Sequence, residues 1–197
     1  GVDAEYLIYH SWGREPTTIA EIKAYKSKNN SLSSGQVLFR EYNYEEGLLI
    51  VKEMVDLLCL DLVDKGLVTD SIFLYVGYSR DTAKSSHGTS PLTVTTNSVR
   101  VITKAFSLLY EKIVNKTAPI RRVNIGFNNV VDEAYEQYDL FTDPAELEKD
   151  RKIQMAVLDI KKKFGKNAIM KGMNLEDAAT TRERNLQIGG HKSGESD

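Results

Sequence analysis

Between positions 36 and 127, the spacing of the apolar residues changes repeatedly from that of a strand to that of a helix. Residues 36–40 alternate between apolar and polar, which is typical of a half-buried strand. Residues 44–65 and 98–113 carry apolar side chains every three or four positions, which is typical of helices that pack on one face. Three further segments are rich in β-branched and aromatic residues and predict strands: 71–79, 92–96 and 120–127. The order β-α-β-β-α-β predicts an α+β fold, in which a four-stranded antiparallel sheet carries both helices on one face.

Residues suited to the ends of helices and strands mark these boundaries. Asn43 is a predicted N-cap of the first helix, and Gly66 is its predicted C-terminal stop. Pro91 is placed at the start of the third strand, where a missing N–H group is tolerated. We therefore expect one packed domain over residues 29–128.

The segments outside this domain have a different character. Residues 3–12 predict a short helix that ends at Gly13, and a polar, basic linker follows it. After residue 128 the chain becomes acidic and loses its apolar period. A helix is predicted over 144–164, beginning at Asp143 and Pro144. Its apolar stripe should face another surface, and comprises Ile153, Ala156, Val157, Ile160 and Phe164. We expect residues 129–197 to be a tail beyond the packed domain, with a polar, flexible end.

Composition excludes several classes of protein. The single cysteine, Cys59, lies in an apolar stretch and cannot form a disulfide within one chain. The three histidines lie far apart in the sequence, so no metal site is predicted. No P-loop, GxSxG or GxGxxG motif is present. There is no apolar run long enough to span a bilayer and no signal pattern, so we expect a cytosolic chain without a membrane partner. Taken alone, the chain is expected to catalyse nothing and to bind no cofactor.

The sheet face that the helices leave open is the candidate binding surface. Successive side chains of a strand point to opposite faces, so we expect Val37 and Phe39 to face the core and Gln36 and Arg40 to lie on the open face. By the same alternation, other polar and aromatic side chains are expected to lie on the open face: Phe73, Tyr75, Ser79, Thr93, Thr95, Arg122 and Asn124. Residues 71–128 carry eight Lys or Arg against two acidic residues. Hydroxyl, amide and guanidinium groups all donate to phosphate oxygens, so this face suits a nucleic-acid backbone. An ordinary solvated face explains the pattern equally well.

Several stretches of the sequence resemble the Y-family translesion DNA polymerases of the UmuC and DinB kind, in particular a Gram-positive UmuC-like branch. The matching stretches are GVDAEYLIYHSWG, KSKNNSLSSGQVLFREY, IRRVNIGFNNVVDE and TTRERNLQIGGHK. This resemblance implies that residues 1–28 are the end of a thumb domain and a linker. Residues 29–128 would be the little-finger domain, and residues 129–197 the C-terminal tail.

The resemblance implies that the little finger grips the primer-template duplex largely without reading its sequence. The small polar run that leads into the first strand would meet phosphates: Ser31, Ser33, Ser34 and Gly35. Arg40, Arg122 and Arg80 would be cations on the sheet side. The remaining predicted DNA-binding residues are Lys28, Thr93, Thr95 and Asn124.

A second implied partner is the sliding clamp, the β subunit. The peptide at 137–141 resembles the clamp-binding motif Gln-x-x-Leu-Phe: Gln137, Tyr138, Asp139, Leu140 and Phe141. Two of its side chains, Leu140 and Phe141, can fill an apolar pocket, and Gln137 can supply hydrogen bonds.

Catalysis is implied for a longer parent only. In this family the metal-binding carboxylates lie in a palm domain, which should precede residue 1, so Mg²⁺ and nucleotide would bind outside this chain. The parent would be an error-prone polymerase of translesion synthesis, DNA repair and the SOS response. The alternative is a stand-alone ferredoxin-like module that binds RNA or a protein, with Phe73 and Tyr75 stacking on unpaired bases.

Overall fold

A computed structural model describes residues 2–25, 30–80, 82–135, 144–188 and 191–192. The chain divides into two compact units, residues 1–30 and 31–197. The first unit contains helices α1 (Val2–Ser11) and α2 (Ile19–Ala24). The predicted stop after α1 is confirmed, because Gly13 has a left-handed φ of 68°. Helix α2 begins with a capping box between Thr18 and Glu21.

The second unit contains the sheet, its helices and the tail. Its elements in chain order are β1 (Leu32–Tyr42), α3 (Tyr44–Lys65), β2 (Leu67–Tyr78), β3 (Ser86–Thr96), α4 (Val99–Ile113), β4 (Ile120–Asn128), β5 (Val131–Asp132), α5 (Pro144–Phe164), α6 (Thr181–Arg184), β6 (Gln187–Ile188) and β7 (His191–Lys192). Short 3₁₀ turns lie at Glu133–Tyr135 and Gly172–Leu175.

The main sheet has the strand order β1-β4-β2-β3, and neighbouring strands are antiparallel. The short strand β5 pairs with the beginning of β2. Helix α3 connects β1 to β2, and α4 connects β3 to β4, each across one intervening strand. Buried side chains of both helices and of the sheet form one core. The predicted four-stranded antiparallel α+β fold is therefore confirmed.

The core lies between the helices and one face of the sheet. The inward side chains of the central strands are fully buried: Ile72, Leu74, Val76, Val123, Ile125 and Phe127. Each contributes about 1.5–3 kcal/mol by leaving water. Helix α3 comes so close to β4 at Gly47 that an added Cβ would lie 2.4 Å from Ile120 Cδ1. The same Cβ would lie 2.5 Å from the hydroxyl of Tyr110, which donates a 2.8 Å hydrogen bond to the Tyr44 carbonyl. The start of α3 is thus fixed by close packing.

The predicted ends of α3 are confirmed, whereas one predicted strand is too short. The Asn43 side chain accepts from the Glu46 amide at 3.0 Å, and Glu46 accepts from the Asn43 amide at 2.9 Å. Gly66 ends the helix with a left-handed φ of 63°. Strand β3 begins at Ser86 rather than at residue 92, and Pro91 lies inside it. The edge position of β3 tolerates this proline.

The tail helix α5 packs against α3, and its Glu146 and Asp150 form ion pairs with Arg100 at the start of α4, contrary to the expected exposed tail. Its Gln154 side chain is buried and donates to the Asn97 carbonyl at 3.3 Å. The predicted apolar stripe is only partly covered, because Ile153 is 53% exposed and Phe164 is 67% exposed. The rotation of α5 about its own axis follows its polar contacts, and the spacing of apolar residues in the sequence gives no information about those contacts.

Residues 174–184, within the polar end predicted to be flexible, also pack against the domain, so the prediction is wrong for this segment. The carboxylate of Glu53, on α3, is 1% exposed and accepts hydrogen bonds from the Asn174 side chain at 2.7 Å and the Thr180 amide at 2.8 Å. The Thr181 amide lies 3.4 Å from the same carboxylate. Ala178 joins the hydrophobic core. A buried carboxylate therefore holds the second half of the tail on α3.

Candidate nucleic-acid interface

Two rows of side chains cross the sheet on the face away from the helices. One row is Ser33, Gly126, Phe73 and Thr89, and the next is Gly35, Asn124, Tyr75 and His87. A third row joins Val37, Arg122 and Gly77. Because alternate residues of these strands form the core, the members of the rows point away from it. We call this surface the open sheet face, and it also includes Phe39.

The parity of β1 is opposite to the prediction. Leu38 and Tyr42 are each 1% exposed, whereas Val37 is 64% exposed and Phe39 is 69% exposed. Because residues 37–39 are all apolar, either the odd-numbered or the even-numbered residues of β1 could face the core. The strand is longer than predicted, and the buried Tyr42 at its end places the even-numbered residues on the core side. Gln36 and Arg40 therefore do not belong to the open sheet face.

Arg40 instead lies on the helix side of the sheet, where it forms an ion pair with Glu46. Its guanidinium donates two hydrogen bonds to the Glu46 carboxylate, at 3.0 and 2.7 Å, and lies 4.0 Å from the centroid of the Tyr42 ring. These hydrogen bonds lower the pKa of Glu46, and they raise the pKa of Arg40. The predicted role of Arg40 as a sheet-side cation is therefore not supported by its position, because a carboxylate already neutralises it.

A bulge at the start of β4 supplies a cation that the sequence reasoning missed. Ile120 and Val123 are both buried although two residues separate them, and the pairing of β4 with both neighbours is irregular at this point. Arg121 and Arg122 therefore both lie outside the core, half-buried and exposed respectively. Among the residues that the structure describes, neither forms an ion pair with a carboxylate.

The small polar run divides between the two faces of β1. Ser33 is exposed on the open sheet face, whereas Ser34 pairs with Ile125 on the core side and is half-buried. Ser31 is exposed just before the strand. A Cβ on Gly35 would lie 2.5 Å from Asn124 Oδ1, so the missing side chain lets the Asn124 amide lie over the strand.

The remaining predicted residues lie at opposite ends of the sheet. Thr93 is exposed and Thr95 is half-buried near the end of β3, within the stretch where the pairing of β3 with β2 is irregular. Arg80 is exposed after β2, where the Ser79 amide donates to the Pro119 carbonyl at 2.9 Å. Arg80 is thus close in the fold to the bulge arginines. Lys28 and the peptide 137–141 lie outside the described residues.

The described chain offers no group of three His, Cys, Asp or Glu side chains that could hold a metal ion. Within the same described ranges, no helix is long and apolar enough to cross a membrane.

Residues 29–140 match the impB/mucB/samB family C-terminal domain. This range is 112 of the 197 residues, more than half of the chain. The chain belongs to this family, and the Y-family polymerase class indicated by the sequence is confirmed.

Two curated relatives match almost the whole chain. UvrX of Bacillus subtilis (strain 168), named for UV-damage repair, is 26% identical over 196 residues, which is 98% of this chain and 46% of the relative. DNA polymerase IV 2 of Halalkalibacterium halodurans is 25% identical over 195 residues, 97% of this chain and 46% of the relative. The chain therefore spans about half the length of these relatives.

Solved structures with similar chains include a complex of the β-clamp processivity factor with the little finger domain of PolIV. That likeness has a TM-score of 0.41 and 9% identity, and it covers 57% of this chain and 99% of the other. A post-insertion binary complex of Dbh DNA polymerase has a TM-score of 0.37 and 11% identity, covering 66% of this chain and 36% of the other.

Proposed function

We propose that this chain is a little-finger region that holds the backbones of primer-template duplex DNA against its open sheet face, within a translesion polymerase. The observation that carries the proposal is the composition of that face. It offers hydroxyl, amide and aromatic groups in register across the sheet, with Arg122 at one end. Arg121, half-buried in the same bulge, adds a second cation beside it.

These groups suit phosphates better than base edges. The Ser33 and Thr89 hydroxyls and the Asn124 amide can donate to phosphate oxygens, as can the arginines. Such contacts fix the position of the duplex and carry no sequence information directly. We therefore expect weak duplex binding with little sequence preference and a strong dependence on salt, since each neutralised phosphate releases counterions.

The test compares Arg122→Ala with Arg40→Ala, two variants that remove the same charge from opposite faces. Duplex affinity is measured by fluorescence anisotropy over a range of salt concentrations. Arg122→Ala should weaken binding equally for unrelated sequences and reduce the salt slope by about one. Arg40→Ala should leave both quantities unchanged, because Arg40 is neutralised by Glu46. Equal effects of the two variants, or no effect of Arg122→Ala, would remove the open sheet face from the interface.

One observation favours the second candidate, a module for single strands. Phe73 and Tyr75 lie in adjacent rows at the centre of the open sheet face, where unpaired bases could stack. A competition assay with single-stranded RNA, single-stranded DNA and duplex of equal length decides between the two. If single strands bind more tightly than duplex, and Phe73→Leu abolishes this preference, the result would favour single-strand binding over duplex binding.

We further propose that residues 137–141 bind the sliding clamp. The support is the sequence: Leu140 and Phe141 are the anchoring side chains of the motif, whereas Asp139 stands at a variable position. Leu140→Ala with Phe141→Ala should abolish binding of the clamp in surface plasmon resonance, and Asp139→Ala should have little effect. The melting temperature should not change in either variant. A lower melting temperature with preserved clamp affinity would make the pair a packing element instead.

Polymerase activity is proposed for a longer protein that contains this chain, because the relatives are about twice as long. By the resemblance, Mg²⁺ and the incoming nucleotide would bind in its palm domain. Primer extension by that protein, with and without the clamp, is the direct assay. Clamp stimulation that disappears in the Leu140 and Phe141 double variant, with basal extension retained, is the expected result.

A further inference from the structure

We propose that the C-terminal tail adds a phosphate-binding residue, Arg184, at the outer edge of strand β1. The DNA strand that lies along β1 would contact it. This inference rests on the proposed duplex binding and extends it beyond the matched family range, which ends at residue 140.

Arg184 lies against the edge of the strand. Its Nη1 donates to Gln36 Oε1 at 2.7 Å, and its Nη2 lies 3.4 Å from the Gly35 carbonyl oxygen. In an antiparallel strand the N–H and C=O of one residue point to the same side. The Gly35 amide therefore also points outward, away from β4. By the same alternation, the amides of Ser33 and Val37 point outward too. The guanidinium thus stands beside a strand edge that presents backbone N–H groups alternating with carbonyl groups.

The charge of Arg184 is not neutralised by the residues that hold it. Both of its acceptors are neutral oxygens, and within the described part of the chain it forms no ion pair with a carboxylate. Burial lowers the pKa of Arg184, opposed by the charge of Glu53. A half-buried cation without a paired anion is unfavourable, and a bound phosphate would relieve that cost. The guanidinium has five N–H donors, so donors remain beyond the two contacts described.

A groove of about 580 Å³ joins this site to the open sheet face. Its walls come from β1 and from the tail: Gly35, Gln36, Val37, Phe39, Thr180, Glu183, Arg184 and Gln187. Val37 and Phe39 belong to the open sheet face, so a strand that follows β1 passes the groove. Glu183 places one carboxylate in the same groove, and because it repels phosphate, the anion would bind on the Arg184 side. Glu53 is a positioning residue, because it holds the Thr180 amide.

The test uses the full chain and a fluorescent duplex in anisotropy titrations. Arg184→Gln should weaken binding by roughly five- to tenfold and reduce the salt slope by about one. Arg182→Gln is the matched control, since Arg182 is exposed on the same short helix and undergoes the same charge change. It should change the affinity by less than about twofold. Thermal melts of both variants report whether the tail is still folded.

Arg184→Lys is a second variant, needed because Arg184→Gln could weaken DNA binding by unfolding the tail. Lysine keeps the positive charge but lacks the paired N–H donors of the guanidinium group. Arg184→Lys should therefore have the salt slope of the unaltered chain and most of its affinity. Binding by Arg184→Lys as weak as that of Arg184→Gln would show that Arg184 acts only as a structural clamp and would overturn the inference. If the unaltered chain fails to bind duplex, the proposed function itself fails. If Arg122→Ala weakens binding while Arg184→Gln equals Arg182→Gln, the inference alone fails.

Discussion

The buried carboxylate of Glu53 should decide whether the second half of the tail stays on the domain. Glu53→Ala removes two short hydrogen bonds to a charged acceptor, from Asn174 at 2.7 Å and from the Thr180 amide at 2.8 Å. Each is worth about 1.5–3 kcal/mol, and their donors would remain without partners if the tail stayed in place. Because alanine also removes the desolvation cost of the carboxylate, we expect the lower end, a loss of about 3 kcal/mol.

This loss should appear in the tail and not in the sheet. Hydrogen exchange of the Thr180 and Thr181 amides should accelerate by roughly a hundredfold, since each 1.4 kcal/mol is tenfold. The amide of Ile125, in the central strand β4, should exchange as before. Glu45→Ala, an exposed glutamate of the same helix, is the control and should change neither region. Unchanged protection at Thr180 and Thr181 would show that Glu53 does not hold the tail on the domain, and equal acceleration at Ile125 would show that tail and core unfold as one unit.

Two further predictions concern the stability of the domain. Gly47→Ala should lower the free energy of unfolding by about 1–3 kcal/mol in urea denaturation, because the new methyl group would lie 2.4 Å from Ile120 Cδ1; an unchanged midpoint would mean that this contact relaxes freely. Arg40→Ala should cost about 1 kcal/mol at pH 7. Since Arg40 lowers the folded-state pKa of Glu46 below its ordinary 4.5, this advantage is present above that value and is lost as the pH falls through the lower folded pKa. Urea midpoints of the two proteins should therefore converge as the pH falls below the folded-state pKa of Glu46, and a difference that stays constant from pH 7 into the acid range would contradict the ion pair.

The order of elements could be predicted from the sequence because long apolar stripes and capping residues specify it. Asn43 and Gly66 bound α3 where the capping rules place them. The face of a short strand is less well determined. Three consecutive apolar residues at 37–39 fit either parity, and Tyr42, which fixes the choice by its burial, lay outside the predicted strand.

Two parts of the candidate site could not be predicted for a different reason. The bulge at Arg121 depends on pairing with two neighbouring strands, which no local pattern encodes. The tail docks through hydrogen bonds to Glu53 and Gln36, residues more than one hundred positions away along the chain. Polar docking of this kind leaves no apolar periodicity, so composition alone predicts a flexible segment.

The tail contact has a consequence for self-association. The sheet ends in two edge strands, β1 and β3, and exposed edges can pair with another molecule. Pro91 interrupts the donors of β3, and Arg184 covers part of β1. A chain shortened before the tail would bare the β1 edge, together with the exposed side chains of Val37 and Phe39. Removing the tail would therefore create a surface suited to strand-to-strand aggregation, and the shortened chain should be the less soluble of the two.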